Sequence, residues 1–202
     1  MQLIRFKKDK KISNGVLKDD RIFRVKGDLF SDFSPGSEIA KLDEVKLLAP
    51  IVPPNIIAIG LNYRQHAVET GAEIPERPVV FLKATSSLNN PNSDILLPKI
   101  APKKVDFEAE LAVVISKRAK NIETVEVDDY ILGYSCANDV SARDCQKELD
   151  KQWARGKSFD TFCPLGPWIE TELDPGDLEI KSILNGELMQ ESKTSDMIFN
   201  IK

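Results

Sequence analysis

Two glutamates separated by one residue lie in the segment Val105-Asp106-Phe107-Glu108-Ala109-Glu110-Leu111. Side chains of a β-strand alternate between its two faces, so Asp106, Glu108 and Glu110 are predicted to share one face. Acidic residues are unfavourable in strands and repel each other, but a hard divalent cation with oxygen ligands removes that repulsion. The pattern is typical either of a metal site or of a face that is simply hydrated, and the strand alone leaves both possibilities open.

A second group of polar residues follows a predicted buried strand that begins at Gly133. Asp139 lies where this strand is predicted to meet a helix, and Arg143 and Gln146 follow at spacings that place them on one helical face. An acid, a cation and an amide at the end of a strand suit the binding of a carboxylate or an oxyanion beside a metal. In isolation, however, the pattern favours the simpler reading in which Asp139 caps the helix and the other two are surface residues.

Short strands dominate the elements that must position these residues, so the predicted fold class is mostly β with a few helices (α+β). Two helices are predicted, Asn62–Thr70 and Ser141–Lys151, the second capped by Asp139 or Ser141. The pair Asn185-Gly186 predicts a type I′ hairpin turn. The predicted strands are Leu3–Lys7, Arg21–Val25, Ile56–Gly60, Val79–Lys83, Phe107–Ser116, Ile131–Ala137, Trp168–Ile169, Leu178–Leu184 and Glu187–Gln190.

The prolines near residue 50 predict a division between a small β-rich segment, residues 1–48, and a larger domain, residues 49–202. Within the first segment, Ser13-Asn14-Gly15 is expected to separate two strands. The run Phe33–Ser37 is expected to form a turn or loop, followed by a short helix over residues 38–42.

The composition excludes several classes of protein. With 42% hydrophobic and 30% charged residues and a net charge of −4, the chain is typical of a globular protein without a basic patch for nucleic acid or an anionic membrane. Its apolar runs are strand-sized, and the alternating residues Met1–Lys8 do not resemble a secretory signal. Three cysteines without CxxC spacing argue against a disulfide framework and a zinc knuckle, so a cytoplasmic location is expected.

Four short motifs occur in order between residues 50 and 202. They are Tyr63-Arg64-Gln65-His66, Asp106-Phe107-Glu108-Ala109-Glu110-Leu111, Asn138-Asp139-Val140-Ser141-Ala142-Arg143-Asp144-Cys145-Gln146 and Lys157-Ser158-Phe159-Asp160. In order and spacing they closely resemble the fumarylacetoacetate hydrolase family. Residues 1–48 resemble only the variable N-terminal segment of many members. The resemblance implies a mixed β-roll or barrel preceded by a small β-rich segment.

The resemblance also implies a metal site. In this family, two glutamates of the E-x-E strand and a later aspartate hold magnesium or manganese, and those positions fall on Glu108, Glu110 and Asp139. Three monodentate carboxylates leave about half of an octahedral shell open for substrate and water. Because all-oxygen shells suit both metals, the choice between Mg²⁺ and Mn²⁺ stays open.

The family pattern implies three catalytic residues. His66 is the only histidine, and Glu69 follows three residues later on the same helical face. A lone histidine is more often structural, but family members place a His–Glu pair of similar spacing on a lid helix. There Glu69 would orient His66, which would activate water or shuttle a proton. Lys157, expected in a loop, matches the active-site lysine of the family.

Three further residues are implied to contact the substrate: Arg143, Gln146 and, more weakly, Lys83 at the end of an apolar strand. Asp106 matches no catalytic position and is expected behind the site.

The implied reaction is hydrolysis of a C–C bond in a small 2,4-dioxo acid, either an acylpyruvate or a compound like fumarylacetoacetate. Water activated by His66 and Glu69 would attack the distal carbonyl, and Lys157 would help to hold the enolate of the departing pyruvate-like fragment. Isomerase, decarboxylase and hydratase activities occur on the same scaffold and stay open. So does a metal-binding or interaction subunit without catalysis.

Family members normally continue beyond the position of Lys202 through a helix and more strands, including a Gly-Thr-Pro loop at the active site. The catalytic domain is therefore expected to be C-terminally incomplete. Open sheet edges favour pairing with another chain, so we expect a homodimer. The expected partner is a small oxo acid, with neither nucleic acid nor a membrane.

Overall fold

A computed structural model describes all residues from Met1 to Lys202 and consists mostly of short strands. The predicted fold class, mostly β with a few helices, is confirmed. The strands are β1 (Gln2–Lys8), β2 (Lys11–Lys18), β3 (Arg21–Gly27), β4 (Phe33–Lys41), β5 (Lys46–Leu48), β6 (Ile56–Gly60), β7 (Val79–Lys83), β8 (Leu88–Asn89), β9 (Val105–Asp106), β10 (Ala109–Ile115), β11 (Ile131–Asn138), β12 (Ser141–Ala142), β13 (Cys163–Pro164), β14 (Ile169–Glu170), β15 (Glu179–Leu184) and β16 (Glu187–Lys193).

Helical structure is confined to short segments. The two α-helices are α1 (Arg64–Thr70) and α2 (Ala154–Lys157). A π-helical turn covers Asp144–Leu149, and 3₁₀ turns lie at Leu42–Glu44, Thr85–Ser87, Thr124–Tyr130 and Thr194–Asp196. No helix is long and apolar enough to cross a membrane.

The main sheet is antiparallel and has the order β10-β11-β14-β1-β2-β3-β4, with β5 added beside β1. Its central strand, β1, buries side chains on both faces because Leu3 and Ile4 point in opposite directions. Leu3 packs with Val16, Val114, Leu132 and Ile169, so the N-terminal strands and the later ones share one core. The other face of β1 packs into a second cluster that contains Ile22. The division at residue 48 stays a prediction.

The N-terminal predictions were wrong at two places. Ser13-Asn14-Gly15 lies inside β2, where Gly15 pairs with Ile4. The chain turns instead at Asp9 and Lys10, between β1 and β2, and at Asp19 and Asp20, between β2 and β3. Residues 33–42 were expected to form a loop and a short helix, but Phe33–Lys41 is the edge strand β4. An edge strand tolerates Pro35 because only one side of its backbone pairs with a neighbour.

Four further sheets have two strands each. They pair β6 with β7, β8 with β13, β9 with β12, and β15 with β16. The β15–β16 hairpin confirms the turn predicted at Asn185-Gly186, because both residues have positive φ, as a type I′ turn requires.

The helix predicted over Ser141–Lys151 forms only in part. Ser141 and Ala142 pair with β9 as strand β12, so neither Ser141 nor Asp139 caps a helix, and the π-helical turn starts after Arg143 instead. Tertiary pairing with β9 thus overrides the local helical pattern. Lys157 was expected in a loop but is the last residue of α2. The predicted strand Phe107–Ser116 is also shortened to Ala109–Ile115, and Phe107 and Glu108 belong to neither β9 nor β10.

Candidate active site

A buried lysine lies at the centre of the predicted site. The Lys157 ammonium donates to Glu108 Oε2 at 2.8 Å and to Asp139 Oδ2 at 2.6 Å. Lys83 donates to the other oxygen of Asp139, Oδ1, at 2.6 Å and to the Val140 carbonyl oxygen at 3.2 Å. Lys83, Asp139 and Lys157 are all buried, so Asp139 is held between two desolvated ammonium groups.

Arg143 extends this network towards the surface. Its Nη2 donates to Glu108 Oε1 at 2.6 Å and its Nη1 to Gln146 Oε1 at 2.7 Å. Its Nε donates to Asp106 Oδ2 at 2.7 Å, so one guanidinium joins two carboxylates of the acidic strand. This contact agrees with Asp106 and Glu108 sharing a face. We name the network of Lys83, Glu108, Asp139, Arg143, Gln146 and Lys157 the charged cluster.

The backbone brings the two acidic segments together. The Asp139 N–H donates to the Glu108 carbonyl oxygen at 2.9 Å, and the Glu108 N–H donates to the Asn138 side-chain oxygen at 3.2 Å. These bonds continue the β10–β11 pairing past the end of β10.

A close approach of α2 places Lys157. A Cβ atom on Gly156 would lie 2.9 Å from both the Ala142 carbonyl oxygen and the Gln146 amide nitrogen. Real Cβ atoms are almost never so close to backbone atoms. A glycine is therefore required where α2 packs against the π-helical turn.

Of the three carboxylates predicted to bind a metal, only that of Glu110 has no partner. Its carboxylate makes neither an ion pair nor a hydrogen bond. Burial and the nearby charges of Glu108 and Asp139 raise the pKa of Glu110 to about 8. Burial also pushes the pKa of Glu108 upward, but Lys157 and Arg143 outweigh that effect and lower it. For Lys83, burial lowers the pKa more than Asp139 raises it. Glu110 is therefore largely protonated near neutral pH, and its ionised form needs a further positive charge beside it.

A divalent cation suits this donor set. Glu108, Glu110 and Asp139 offer carboxylate oxygens, the ligands that Mg²⁺ and Mn²⁺ prefer, and the unpartnered Glu110 lacks a positive charge. No three acidic, histidine or cysteine side chains converge with metal-ligand geometry. The reason is that two of the three carboxylates turn towards the Lys157 ammonium, which occupies the position between them.

His66 and Glu69 are not part of the charged cluster. Both lie on α1 with 58% and 62% of their side chains exposed, and His66 Nδ1 is 4.0 Å from Glu69 Oε2, too far for a hydrogen bond. The predicted pairing on one helical face is present. The predicted role above the site stays a prediction.

Sequence reasoning did not place Tyr63 in the candidate site. Its hydroxyl is buried without a hydrogen-bond partner, and burial, together with the charges of Glu110 and Asp196, raises the pKa of Tyr63 to about 12. Tyr63 also precedes α1 as its N-cap residue, so the charge of Glu110 acts on the residue at the start of the helix that carries His66. The motif Tyr63-Arg64-Gln65-His66 was the available signal.

Cavity size does not mark the charged cluster. One cavity, of about 810 Å³, is lined by residues such as Tyr134, Thr171 and Met197 and by none of the nine predicted site residues, and a second, of about 540 Å³, includes only Lys83 among them. The combination of buried opposite charges, rather than cavity volume, identifies the candidate site.

Comparison with protein families gives two matches along the chain. Residues 55–202 match the family described as fumarylacetoacetate (FAA) hydrolase C-terminal, and residues 1–50 match the family described as Rv2993c-like, N-terminal. The chain belongs to the fumarylacetoacetate hydrolase family. The resemblance found in the motifs is thereby confirmed.

Relatives in this family carry different activity names. The chain is 45% identical over 160 residues to oxaloacetate tautomerase Fahd2a, mitochondrial, of Rattus norvegicus, covering 77% of this chain but 51% of the relative. It superposes with a TM-score of 0.90 and 39% identity on 5-carboxymethyl-2-hydroxymuconate delta-isomerase from Mycobacterium smegmatis, over 100% of this chain and 79% of that one.

A third neighbour is maleylpyruvate hydrolase from Sphingobium sp. SYK-6, in complex with manganese(II) and pyruvate. It matches with a TM-score of 0.78 and 27% identity over 100% of this chain and 80% of that one. Family members thus include isomerases, hydrolases and a tautomerase, several of them named for oxo acids or their relatives. The reactions named for these relatives differ from one another.

Proposed function

We propose that this chain forms the divalent-cation-dependent site of an enzyme that acts on a small 2-oxo acid through its enolate. The observation that carries the proposal is the charged cluster, in which the buried Lys157 joins Glu108 and Asp139 while Glu110 stays unpaired beside them. An enolate bears negative charge on the former carbonyl oxygen, so it needs buried positive groups in a site that excludes water.

The residues divide into two groups. Glu108, Glu110 and Asp139 would hold Mg²⁺ or Mn²⁺, which would act as a Lewis acid towards the carboxylate and 2-oxo oxygens of the substrate. With such a cation present, the Lys157 ammonium would be a donor for the enolate oxygen. Lys83 keeps Asp139 oriented from the opposite side.

Arg143 and Gln146 are suited to the substrate carboxylate. Arg143 carries donors in a planar fork that matches a carboxylate, and Gln146 already accepts from it at 2.7 Å. Asp106 and Glu108 hold the guanidinium in place, so little side-chain entropy remains to be lost when a substrate binds.

Hydrolysis of a C–C bond in a 2,4-dioxo acid is the first candidate reaction. It needs a base for water in addition to the groups that hold the enolate, and His66 with Glu69 would supply it after α1 moves over the charged cluster. The relative named maleylpyruvate hydrolase supports this assignment.

Tautomerisation or isomerisation of a 2-oxo acid is the second candidate. It requires only proton transfer at carbon and a stabilised enolate, so the charged cluster could act without His66, which is exposed and apart from it. The relatives named oxaloacetate tautomerase and delta-isomerase, at 45% and 39% identity, favour this candidate.

The test uses two ultraviolet assays, one for the enol of oxaloacetate and one for the enols of several 2,4-dioxo acids. Each is run with Mg²⁺, with Mn²⁺ and with EDTA, on the unaltered protein, on Glu110→Gln and on the control Glu187→Gln, an exposed residue of β16. Turnover that EDTA and Glu110→Gln abolish and Glu187→Gln retains is the expected result. Full activity of Glu110→Gln with saturating metal would refute the proposed site.

The assay also separates the two candidate reactions, because hydrolysis yields two products and tautomerisation one. The homodimer and the cytoplasmic location stay predictions.

A further inference from the structure

The acidic segment that contains Asp106, Glu108 and Glu110 is not one continuous strand, because the strand structure is interrupted at Glu108. Phe107 and Glu108 lie between β9 and β10 and belong to neither strand. On one side of the backbone, the Glu108 peptide groups are bound by Asn138 and Asp139 at 3.2 and 2.9 Å. In an extended chain the peptide groups of the two flanking residues point to the opposite side, so they need partners of their own.

A single side chain from the β15–β16 hairpin supplies those partners. Gln190 Oε1 accepts from the Ala109 N–H at 2.9 Å, and Gln190 Nε2 donates to the Phe107 carbonyl oxygen at 3.4 Å. One carboxamide therefore bonds the residue before Glu108 and the residue after it. Gln190 and Ala109 are 81 positions apart in the chain.

The position of β10 explains why a side chain takes this role. β10 is the terminal strand of the main sheet, so no strand pairs with its outer edge. The carboxamide of Gln190 imitates a peptide group there, with one donor and one acceptor. The Ser182 hydroxyl, directly opposite on β15, donates to Gln190 Oε1 at 3.0 Å and fixes its orientation.

We propose that Gln190 is a positioning residue of the metal site, which holds the backbone on both sides of Glu108 so that Glu108 and Glu110 are placed to bind the cation. This inference rests on the proposed function, since it takes the two glutamates as ligands. Partners that orient metal ligands typically change affinity by about 10–100-fold when they are removed. Gln190 acts through the backbone, so the lower end of that range, about tenfold, is expected.

The test replaces Gln190 by Met, which has similar length and makes neither bond, and uses Ser192→Ala as the matched control. Ser192 lies two residues further along β16 on the same face, and its buried hydroxyl has no hydrogen-bond partner. Mn²⁺ affinity is measured by electron paramagnetic resonance. Exchange of the Ala109 amide hydrogen is measured by NMR in EDTA, which reports the clamp without any metal.

We expect Gln190→Met to weaken Mn²⁺ binding about tenfold and to speed exchange at Ala109, while Ser192→Ala changes neither. Gln190→Asn, too short to reach both peptide groups, repeats the test if the Met variant does not fold. Equal Mn²⁺ affinity in the unaltered protein and the Gln190 variants would overturn the positioning role alone. Absence of Mn²⁺ binding by the unaltered protein would refute the proposed metal site, and this inference with it.

Discussion

The charged cluster would bind the cation and the enolate, and helix α1 would supply the base for hydrolysis. The two regions differ in burial and in the pairing of their charged groups. In the charged cluster, Lys157 contacts two carboxylates at 2.8 and 2.6 Å and is 2% exposed. On α1, His66 and Glu69 are more than half exposed and 4.0 Å apart. The charged groups of one region are buried and paired, whereas those of the other are exposed and not hydrogen-bonded to each other.

We propose that the charged cluster serves both candidate reactions and that the residues of α1 serve only one of them. Buried charged groups that the fold holds in place reorganise little during a reaction, which suits the stabilisation of an enolate. An exposed pair on a seven-residue helix can be added by a small movement of that helix. Residues on α1 are therefore the place where hydrolysis and tautomerisation would diverge.

Replacing Lys157 by Met should have the largest effect on stability. Glu108 and Asp139 would each lose a buried partner, and removing one member of a buried ion pair costs about 3 kcal/mol or more. Urea unfolding in EDTA measures the decrease in the free energy of unfolding, and added Mg²⁺ should make that decrease smaller. Lys104→Met is the control, because Lys104 pairs with Glu148 at the surface and little change is expected there. Equal stability of the two variants would contradict a tightly coupled charged cluster.

Replacing Glu110 by Gln should have an intermediate effect whose sign depends on pH and metal. The pKa of Glu110 is raised to about 8 from an ordinary 4.5, so the folded state binds its proton more tightly than the unfolded state does. That contribution to stability is complete below pH 4.5 and is lost as the pH rises through about 8.

In EDTA at alkaline pH, Glu110→Gln should therefore be more stable than the unaltered protein, by about 2 kcal/mol. Saturating Mg²⁺ should reverse the order, because it stabilises the protein that binds it. Urea unfolding at acidic and alkaline pH, with EDTA and with Mg²⁺, checks both signs. A variant that is less stable in EDTA would show that the Glu110 carboxylate has a partner in the metal-free protein.

Replacing His66 by Gln should have the smallest effect on stability, within about 0.5 kcal/mol, since the side chain is exposed and makes no hydrogen bond. Hydrolysis of a 2,4-dioxo acid should fall about 100-fold or more, as expected when a general base is removed. Tautomerisation of oxaloacetate should persist. If both activities disappear, His66 belongs with the charged cluster, and the contrast between the two regions fails.

Much of the fold could be predicted from residue patterns. Strands with clear alternation or apolar runs, such as β1, β6 and β7, lie where expected, and the Asn185-Gly186 turn is local chemistry. Strand β4 was missed because its Pro and Gly are typical of loops, and only its position at the sheet edge makes them acceptable. The helix expected from Ser141 starts later because β9 captures Ser141 and Ala142.

By itself, the sequence determined the family, the fold class and the residues that form the charged cluster, because motifs and hydrophobic periodicity can be recognised within short stretches of the chain. Only the tertiary structure decided how they meet. Lys157 pairs with Glu108, and Gln190 reaches Phe107 and Ala109, although these residues are far apart in the chain. The lack of a partner for the Glu110 carboxylate is likewise a property of the folded chain. Such contacts depend on strand pairing and burial, and no local pattern encodes them.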